Sequence, residues 1–234
     1  MSRRWLIWSL GLMLIALVAL FPLRIALGLS PVERMGFTAR AVAGPVWSGG
    51  IGDLRLRDQA LGSFAVGLDP FASLGGATLD FARLDGPEGP LSGALHVGGA
   101  RRGITDTNGR IATSALFGRL PIDAVELSDA TILFEGDRCA RAEGRLTAIV
   151  GARIAGLDLS RGLTGTLSCA GGDVRVAMAS GSRMERVDLT IGADGRYRAR
   201  MAIVPGAPDL ALALSLFGFQ SRGDSMGLTV DGHF

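Results

Sequence analysis

The chain has 234 residues, a length that suits one domain of ordinary size with a packed core. Hydrophobic residues make up 48% and charged residues 20%, which excludes long-range disorder, and the 35 glycines lack the three-residue period of collagen. All 24 basic residues are arginines, so lysine-dependent chemistry such as Schiff-base catalysis or phosphate-loop nucleotide binding is excluded.

The first predicted element is a membrane-spanning helix. Nineteen uncharged, mostly apolar residues run from Trp5 to Leu23, close to the ~20 that a helix needs to cross a hydrocarbon layer of ~30 Å. Arg3 and Arg4 precede this run, and the positive-inside rule keeps them in the cytoplasm and exports the chain after Leu29. The predicted anchor residues include Trp5, Trp8, Leu12, Leu17 and Phe21.

A cleaved signal peptide is the alternative interpretation of this segment, because Ala26 and Gly28 are small residues placed as a signal peptidase requires. Both interpretations export the rest of the chain. We therefore predict a cytoplasmic stub and anchor over residues 1–29 and one β-rich periplasmic domain over residues 30–234. The net charge of +2 belongs to the N-terminus, since 21 arginines face 22 acids after residue 29, so nucleic-acid binding has no electrostatic basis.

Beyond residue 30 the pattern predicts antiparallel strands. Val187, Leu189 and Ile191 alternate with polar residues, and after a turn at Asp194-Gly195 the same period of two continues from Tyr197 to Ile203. This period recurs at Leu54–Leu56, Val125–Leu127 and Val174–Met178, and turn signals occur at Asp85-Gly86, Asn108-Gly109 and Ala170-Gly171-Gly172. Two stretches are predicted as short helices, Pro70–Gly75 and Pro208–Phe217.

The predicted fold is therefore mostly β, an N-terminal transmembrane helix followed by a curved, largely antiparallel sheet in the periplasm. Glycine-rich strands with only 6% aromatic residues suit a sheet that bends or bulges. Its apolar face must be covered, either by folding over into a sandwich or by forming an open trough that meets lipid or another protein. The sequence favours neither form.

Two cysteines, Cys139 and Cys169, lack CxxC spacing and a nearby histidine, so metal binding and thioredoxin-like redox chemistry are poorly supported. Export to an oxidising compartment favours a disulfide between them. Two buried free thiols are the alternative interpretation.

No catalytic, metal-binding or cofactor-binding set is predicted. His96 and His233 are the only histidines, and neither lies in a motif with a nucleophile. The spaced carboxylates Asp123, Glu126 and Asp129 are expected on a solvated surface. We therefore do not predict an enzyme.

The order of these features resembles the N component of the bacterial type II (general) secretion pathway. The resemblance lies in an N-terminal span followed by Gly44–Gly49 (GPVWSG) and Leu54-Arg55-Leu56, then Cys139–Leu146 (CARAEGRL), Leu167–Gly172 (LSCAGG), Gly195-Arg196-Tyr197 and Leu216–Phe219 (LFGF). One departure is Val66–Pro70 (VGLDP), where a leucine stands in place of a second tryptophan of the family. The likeness covers nearly the whole chain.

The resemblance implies an inner-membrane protein with a periplasmic β domain, an accessory of the secretion apparatus and not a known enzyme family. Its expected partners are other secretion components in the inner membrane and periplasm, with Trp47 as a structural or contact residue. It is also similar to trough-shaped β proteins, which implies the alternative function of binding or transferring lipid between membranes. An envelope hydrolase is a third hypothesis, supported only by export.

Overall fold

A computed structural model describes residues 3–29, 36–57, 59–69, 76–113, 122–150 and 162–233. The chain divides between Pro90 and Leu91 into two compact units, called unit 1 and unit 2. Whether residues 30–234 fold as a single domain stays a prediction. The predicted helix Pro70–Gly75 lies outside the described residues.

Unit 1 combines two helices with an antiparallel sheet. Its elements are α1 (Arg3–Ala19), α2 (Leu23–Leu29), β1 (Phe37–Thr38), β2 (Ala41–Ala43), β3 (Gly49–Leu56), β4 (Gln59–Asp69) and β5 (Ala77–Asp85). The strand order is β1-β3-β4-β5, and β2 pairs with β3 on the same side as β1. Consecutive long strands are therefore antiparallel neighbours, as the sequence pattern predicts.

The predicted N-terminal helix is shorter than expected. It ends at Ala19 because Pro22 has no amide hydrogen to donate and restricts Phe21 to extended conformations, and a new helix begins at Leu23. None of the helices within the described ranges combines the length and apolar character needed to cross a membrane. The predicted transmembrane helix over Trp5–Leu23 is thus not supported in that form.

Unit 2 is a long antiparallel sheet with one helix. Its elements are β6 (Leu91–Val97), β7 (Arg101–Ala112), β8 (Ile122–Glu135), β9 (Arg138–Val150), β10 (Leu163–Ala170), β11 (Asp173–Ala179), β12 (Glu185–Ile191), β13 (Arg196–Ile203), α3 (Pro208–Leu216), β14 (Gln220–Arg222) and β15 (Ser225–His233). The strands follow chain order except at the end, where β15 lies between β13 and β14.

The predicted hairpin forms β12 and β13. Val187 pairs with Met201 and Leu189 with Ala199, so the buried residues of both strands share one face. The glycine pair Gly171-Gly172 also makes the predicted turn, between β10 and β11, with positive φ angles of 64° and 94°. Such angles favour glycine in a two-residue hairpin loop.

The Asn108-Gly109 prediction is wrong, because this pair lies inside β7 at a bulge rather than at a turn. The amide nitrogen of Asp129 donates to Asn108 Oδ1 at 2.8 Å, and Asn108 Nδ2 donates to Asp129 Oδ1 at 3.0 Å. The side chain of Asn108 thus replaces the missing ladder bonds across to β8. A bulge and a turn need similar residues because both place the backbone at unusual φ angles.

The second predicted helix is confirmed as α3, with Pro208 in its first turn and Gly218, at φ 89°, just beyond its end. Leu214 is fully buried against the core of the sheet, and Leu210 and Ala211 pack there as well. The helix therefore covers part of the apolar face.

The apolar face of the sheet belongs to one core cluster. This cluster joins apolar residues from β8 to β15, among them Leu163, Val174, Val176 and Ile203, which have no exposed surface. The described strands from β6 to β15 pair in one antiparallel sheet.

Gly165 lies where two neighbouring strands approach each other closely. It pairs with Leu146 on β9 and Met178 on β11, in a row of side chains that continues through Val187 to Met201. A methyl group at Gly165 would lie 2.8 Å from Cγ of Met178 and would overlap the backbone carbonyl of Ala177. The neighbouring strand occupies the space that a side chain needs.

We predict that Gly165→Ala lowers the free energy of unfolding by about 1–3 kcal/mol, the usual cost of overpacking. Gly227→Ala is the matched control, because its methyl group would meet the flexible Arg222 side chain at 3.4 Å and the Met201 carbonyl oxygen at an ordinary contact distance of 3.8 Å. Urea denaturation of the full chain in mild detergent, followed by circular dichroism, measures both. Equal midpoints for the two variants would contradict the close approach at Gly165.

Candidate functional site

The tryptophan motif forms a tight turn between β2 and β3. We call residues Gly44–Gly49 the Trp47 socket. Gly44 has a φ of 87°, and the amide nitrogen of Ser48 donates to the carbonyl of Pro45 at 3.2 Å, which closes the turn. Pro45 also forms a β-bridge with Pro22, the residue between the two N-terminal helices.

The socket binds the end of α1 through directed hydrogen bonds. The indole Nε1 of Trp47 donates to the carbonyl of Val18 at 2.9 Å. The amide nitrogen of Val46 donates to the carbonyl of Phe21 at 2.8 Å, and that of Leu23 donates to Gly44 at 3.0 Å. Val18, Phe21 and Leu23, around the junction of α1 and α2, are thus all hydrogen-bonded to residues of one turn.

Glycines allow this close packing. Leu23 is 3% exposed and lies over Gly49, where a methyl group would come within 2.5 Å of its Cδ2. At Gly67 of β4, a methyl group would lie 2.8 Å from the Trp47 carbonyl oxygen. The amide nitrogen of Leu68 donates to the carbonyl of Val46 at 3.0 Å, so β4 is also hydrogen-bonded to the socket.

Four of the predicted anchor residues lie on the surface of α1, and the fifth, Phe21, follows its end. Phe21 is half-buried beside the socket, whereas the four on the helix are exposed: Trp5 77%, Trp8 78%, Leu12 73% and Leu17 57%. Exposed apolar residues occupy every side of this helix. Helices that are apolar on every side are usually buried, so this exposed apolar surface is unusual for a globular fold.

Cys139 of β9 and Cys169 of β10 are disulfide-bonded, with their Cα atoms 5.6 Å apart. The amide nitrogen of Cys139 donates to the carbonyl of Gly172 at 2.6 Å, which holds β9 against the β10–β11 turn. Cys139 packs against the core cluster, whereas Cys169 is exposed. The bond therefore fastens the first half of β9, beyond the point where its ladder with β10 ends at Arg145.

A charged groove of about 920 Å³ lies on the polar face of β11, β12, β13 and β15. Its charged lining consists of four arginines and four aspartates, Arg175, Arg196, Arg198, Arg200, Asp173, Asp188, Asp194 and Asp231. The groove as a whole is therefore neutral. Tyr197 also lines it, folded over Gly232, and burial raises the pKa of its phenol.

Ion pairs cross the strands of the charged groove. Arg198 Nε lies 2.6 Å from Asp231 Oδ1, and Arg175 Nη2 lies 3.1 Å from Asp188 Oδ1. Arg200 makes no ion pair with any residue that the structure describes. Because these side chains are about half exposed, each pair contributes little to stability, roughly 0–1 kcal/mol.

Unit 1 contains a buried arginine that the sequence pattern did not indicate. Arg83 of β5 is 8% exposed, lies over the ring of Phe64 at 5.3 Å and donates from Nη1 to the carbonyl of Gly89 at 3.1 Å. Desolvation lowers the pKa of Arg83, while the charge of Glu88 opposes that effect. Its contacts hold the chain after β5, so its role is structural.

The residues considered for catalysis are not brought together. His96 Nε2 lies 3.1 Å from Thr105 Oγ1 within a strand pair, and His233 Nε2 lies 2.9 Å from the Asp194 carbonyl oxygen. Asp123, Glu126 and Asp129 are all exposed, as expected of a solvated surface. In the part of the chain that the structure describes, no group of three or more acidic, histidine or cysteine side chains is placed to hold a metal ion.

These features define a predominantly antiparallel β protein with an apolar N-terminal helix, a disulfide and a charged groove on one face of its sheet. A family model described as type II secretion system (T2SS), protein N, matches residues 35–229. The chain belongs to this family, which confirms the resemblance inferred from its motifs and identifies it as a secretion-system component rather than a member of a known enzyme family. No curated protein and no solved structure gives a significant match.

The disulfide closes a loop with a sequence separation of 30 residues. We predict that the double variant Cys139→Ser/Cys169→Ser loses about 3–4 kcal/mol of unfolding free energy on the chain-entropy model. Alkylation and mass spectrometry of the wild-type chain check the bond directly. Two thiols should be labelled after reduction and none before, and labelling without reductant would contradict the pairing.

Proposed function

We propose that the protein is an accessory inner-membrane component of the type II secretion apparatus that acts through protein contacts in the periplasm. The observation that carries this proposal is the family match over residues 35–229, which includes strands of both units. The absence of an assembled catalytic set among the described residues agrees with a role in contact.

The character of α1 supports membrane attachment. Its 17 residues extend about 25 Å, and large apolar side chains such as Trp8 and Leu12 are more than 70% exposed. Water disfavours such a surface, and a bilayer would remove it from water. The arginines at positions 3 and 4 favour a cytoplasmic N-terminus, with both β units in the periplasm.

The disulfide supports the periplasmic location independently. Cys169 is exposed, so the bond is open to cellular reductants. Such bonds persist in the oxidising periplasm and are rare in the cytoplasm.

The charged groove is the surface we assign to protein contacts. Its arginines and aspartates are interleaved across β11 to β15 and sum to no net charge, which disfavours a purely anionic or cationic ligand. Interleaved charges instead select a partner with a complementary pattern and reject others by like-charge repulsion. Arginine is also enriched in protein interfaces.

The alternative lipid-binding function receives less support. A lipid-binding trough needs an accessible apolar interior, but the apolar face from β8 to β15 is filled by its own side chains. Val174, Val176 and Leu163 are completely buried there. The apolar face of the unit 2 sheet thus has the packing of a core.

Deletion of the gene should trap type II secretion substrates in the periplasm, and the wild-type gene should restore their release. Activity of a secreted enzyme in the periplasmic and culture fractions measures this. A reporter that works only outside the cytoplasm, fused after Phe234, should be active in the complemented strain. Normal secretion in the deletion strain would overturn the proposed function.

A charge swap tests the groove itself. The double variant Arg198→Asp/Asp231→Arg keeps an ion pair between β13 and β15 but reverses the local pattern, so we expect normal folding and loss of complementation. The matched control is Arg101→Glu/Glu135→Arg, another exposed register pair, with Nε and Oε1 2.6 Å apart and outside the groove lining. Equal secretion by both swapped variants would reject the groove as the contact surface.

A further inference from the structure

We propose that the Trp47 socket holds the end of α1 at the membrane surface, so that unit 1 lies directly against the lipid headgroups. Trp47 is then a positioning residue at the boundary between hydrocarbon and water. This inference rests on the proposed attachment of α1 to the membrane. It adds where the β structure begins relative to the bilayer and which residues determine that depth.

The first argument is that the connection between α1 and the sheet is short and packed. The chain leaves α1 at Ala19 and reaches Leu23, which is already packed over Gly49 at the start of β3. Between these points the carbonyl of Phe21 accepts a hydrogen bond from Val46. A helix tied in this way cannot swing on a flexible linker, so its depth in the bilayer sets the height of unit 1.

The second argument is the bond that Trp47 makes. The last carbonyls of a helix lack partners within the helix, and the Val18 carbonyl accepts both the Phe21 amide, at 3.2 Å, and the Trp47 indole, at 2.9 Å. A carbonyl oxygen has two lone pairs, and the hydrocarbon of a bilayer offers it no donor. Trp47 therefore supplies the second donor to a carbonyl at the end of α1, from the side of the sheet.

The third argument is the position of the polarity boundary. Leu20 is 72% exposed at the end of the apolar segment, and Arg24 is exposed four residues later. The socket contacts Val18, Phe21 and Leu23, which bracket this boundary. The half-buried ring of Trp47 therefore lies at the level where tryptophan is favoured, with an apolar ring and a polar N–H group.

Fluorescence quenching in vesicles tests the depth of Trp47. The chain has three tryptophans, so Trp5→Phe/Trp8→Phe leaves Trp47 as the sole fluorophore. We would reconstitute this variant of the full chain in phosphatidylcholine–phosphatidylglycerol vesicles with a nitroxide either near the headgroup or deep in the acyl chain. The shallow label should quench Trp47 about twofold more than the deep label, whereas lack of quenching by either label would overturn the inference.

A second tryptophan separates this inference from the proposed membrane attachment. In Trp5→Phe/Trp47→Phe, Trp8 on exposed α1 is the sole fluorophore. Quenching of Trp8 by lipid without quenching of Trp47 would reject the socket at the surface and leave membrane attachment intact. Absence of lipid quenching for Trp8 would reject the attachment and, with it, both proposals.

The socket glycine provides a matched pair of variants in the Trp47-only background. Gly49→Ala would push its methyl group into Leu23 and release the junction, whereas Gly50→Ala meets only the Phe64 carbonyl oxygen, at 3.9 Å. We expect Gly49→Ala to reduce the difference between shallow and deep quenching and Gly50→Ala to preserve it. Indistinguishable profiles would show that the packing of Leu23 does not set the depth of Trp47, and would overturn the inference.

Discussion

The apolar face of the unit 2 sheet has to be removed from water. The nine residues of α3 cover part of it, and apolar side chains from β8 to β15 pack in the same core cluster. Glycine at position 165 fits this packing, because it pairs with Leu146 on one side and Met178 on the other and leaves no space for a side chain. The opposite, polar face carries the charged groove.

Local patterns were sufficient to predict the hairpin of β12 and β13 and the helix α3, since alternation from Val187 to Ile203 and the punctuation by Pro208 and Gly218 depend only on neighbouring residues. Contacts between distant residues were not predictable in this way. The local sequence around Asn108 is typical of a turn. Its hydrogen bonds to Asp129, 21 positions later on the neighbouring strand, place it at a bulge instead. The acceptor for Trp47 lies 29 positions earlier, with no local signal.

The disulfide has two explanations, one from the cellular compartment and one from the packing of the strands. Spacing alone could not choose between a disulfide and two thiols, and export made the disulfide the better prediction. The structure adds why a bond is useful there: the ladder between β9 and β10 stops at Arg145, and the first residues of β9 need another attachment. The bond supplies it where hydrogen bonding between these strands has ended.

Weak polar contacts would be adequate for a protein held at a membrane in the way we propose. Confinement through α1 would convert encounters with other membrane components into a two-dimensional search and raise their effective concentration. A neutral groove with exposed, individually weak ion pairs such as Arg198–Asp231 can then provide specificity without tight binding. Rigid attachment through the Trp47 socket would add orientation, because it limits the heights above the bilayer at which unit 1 can meet a partner.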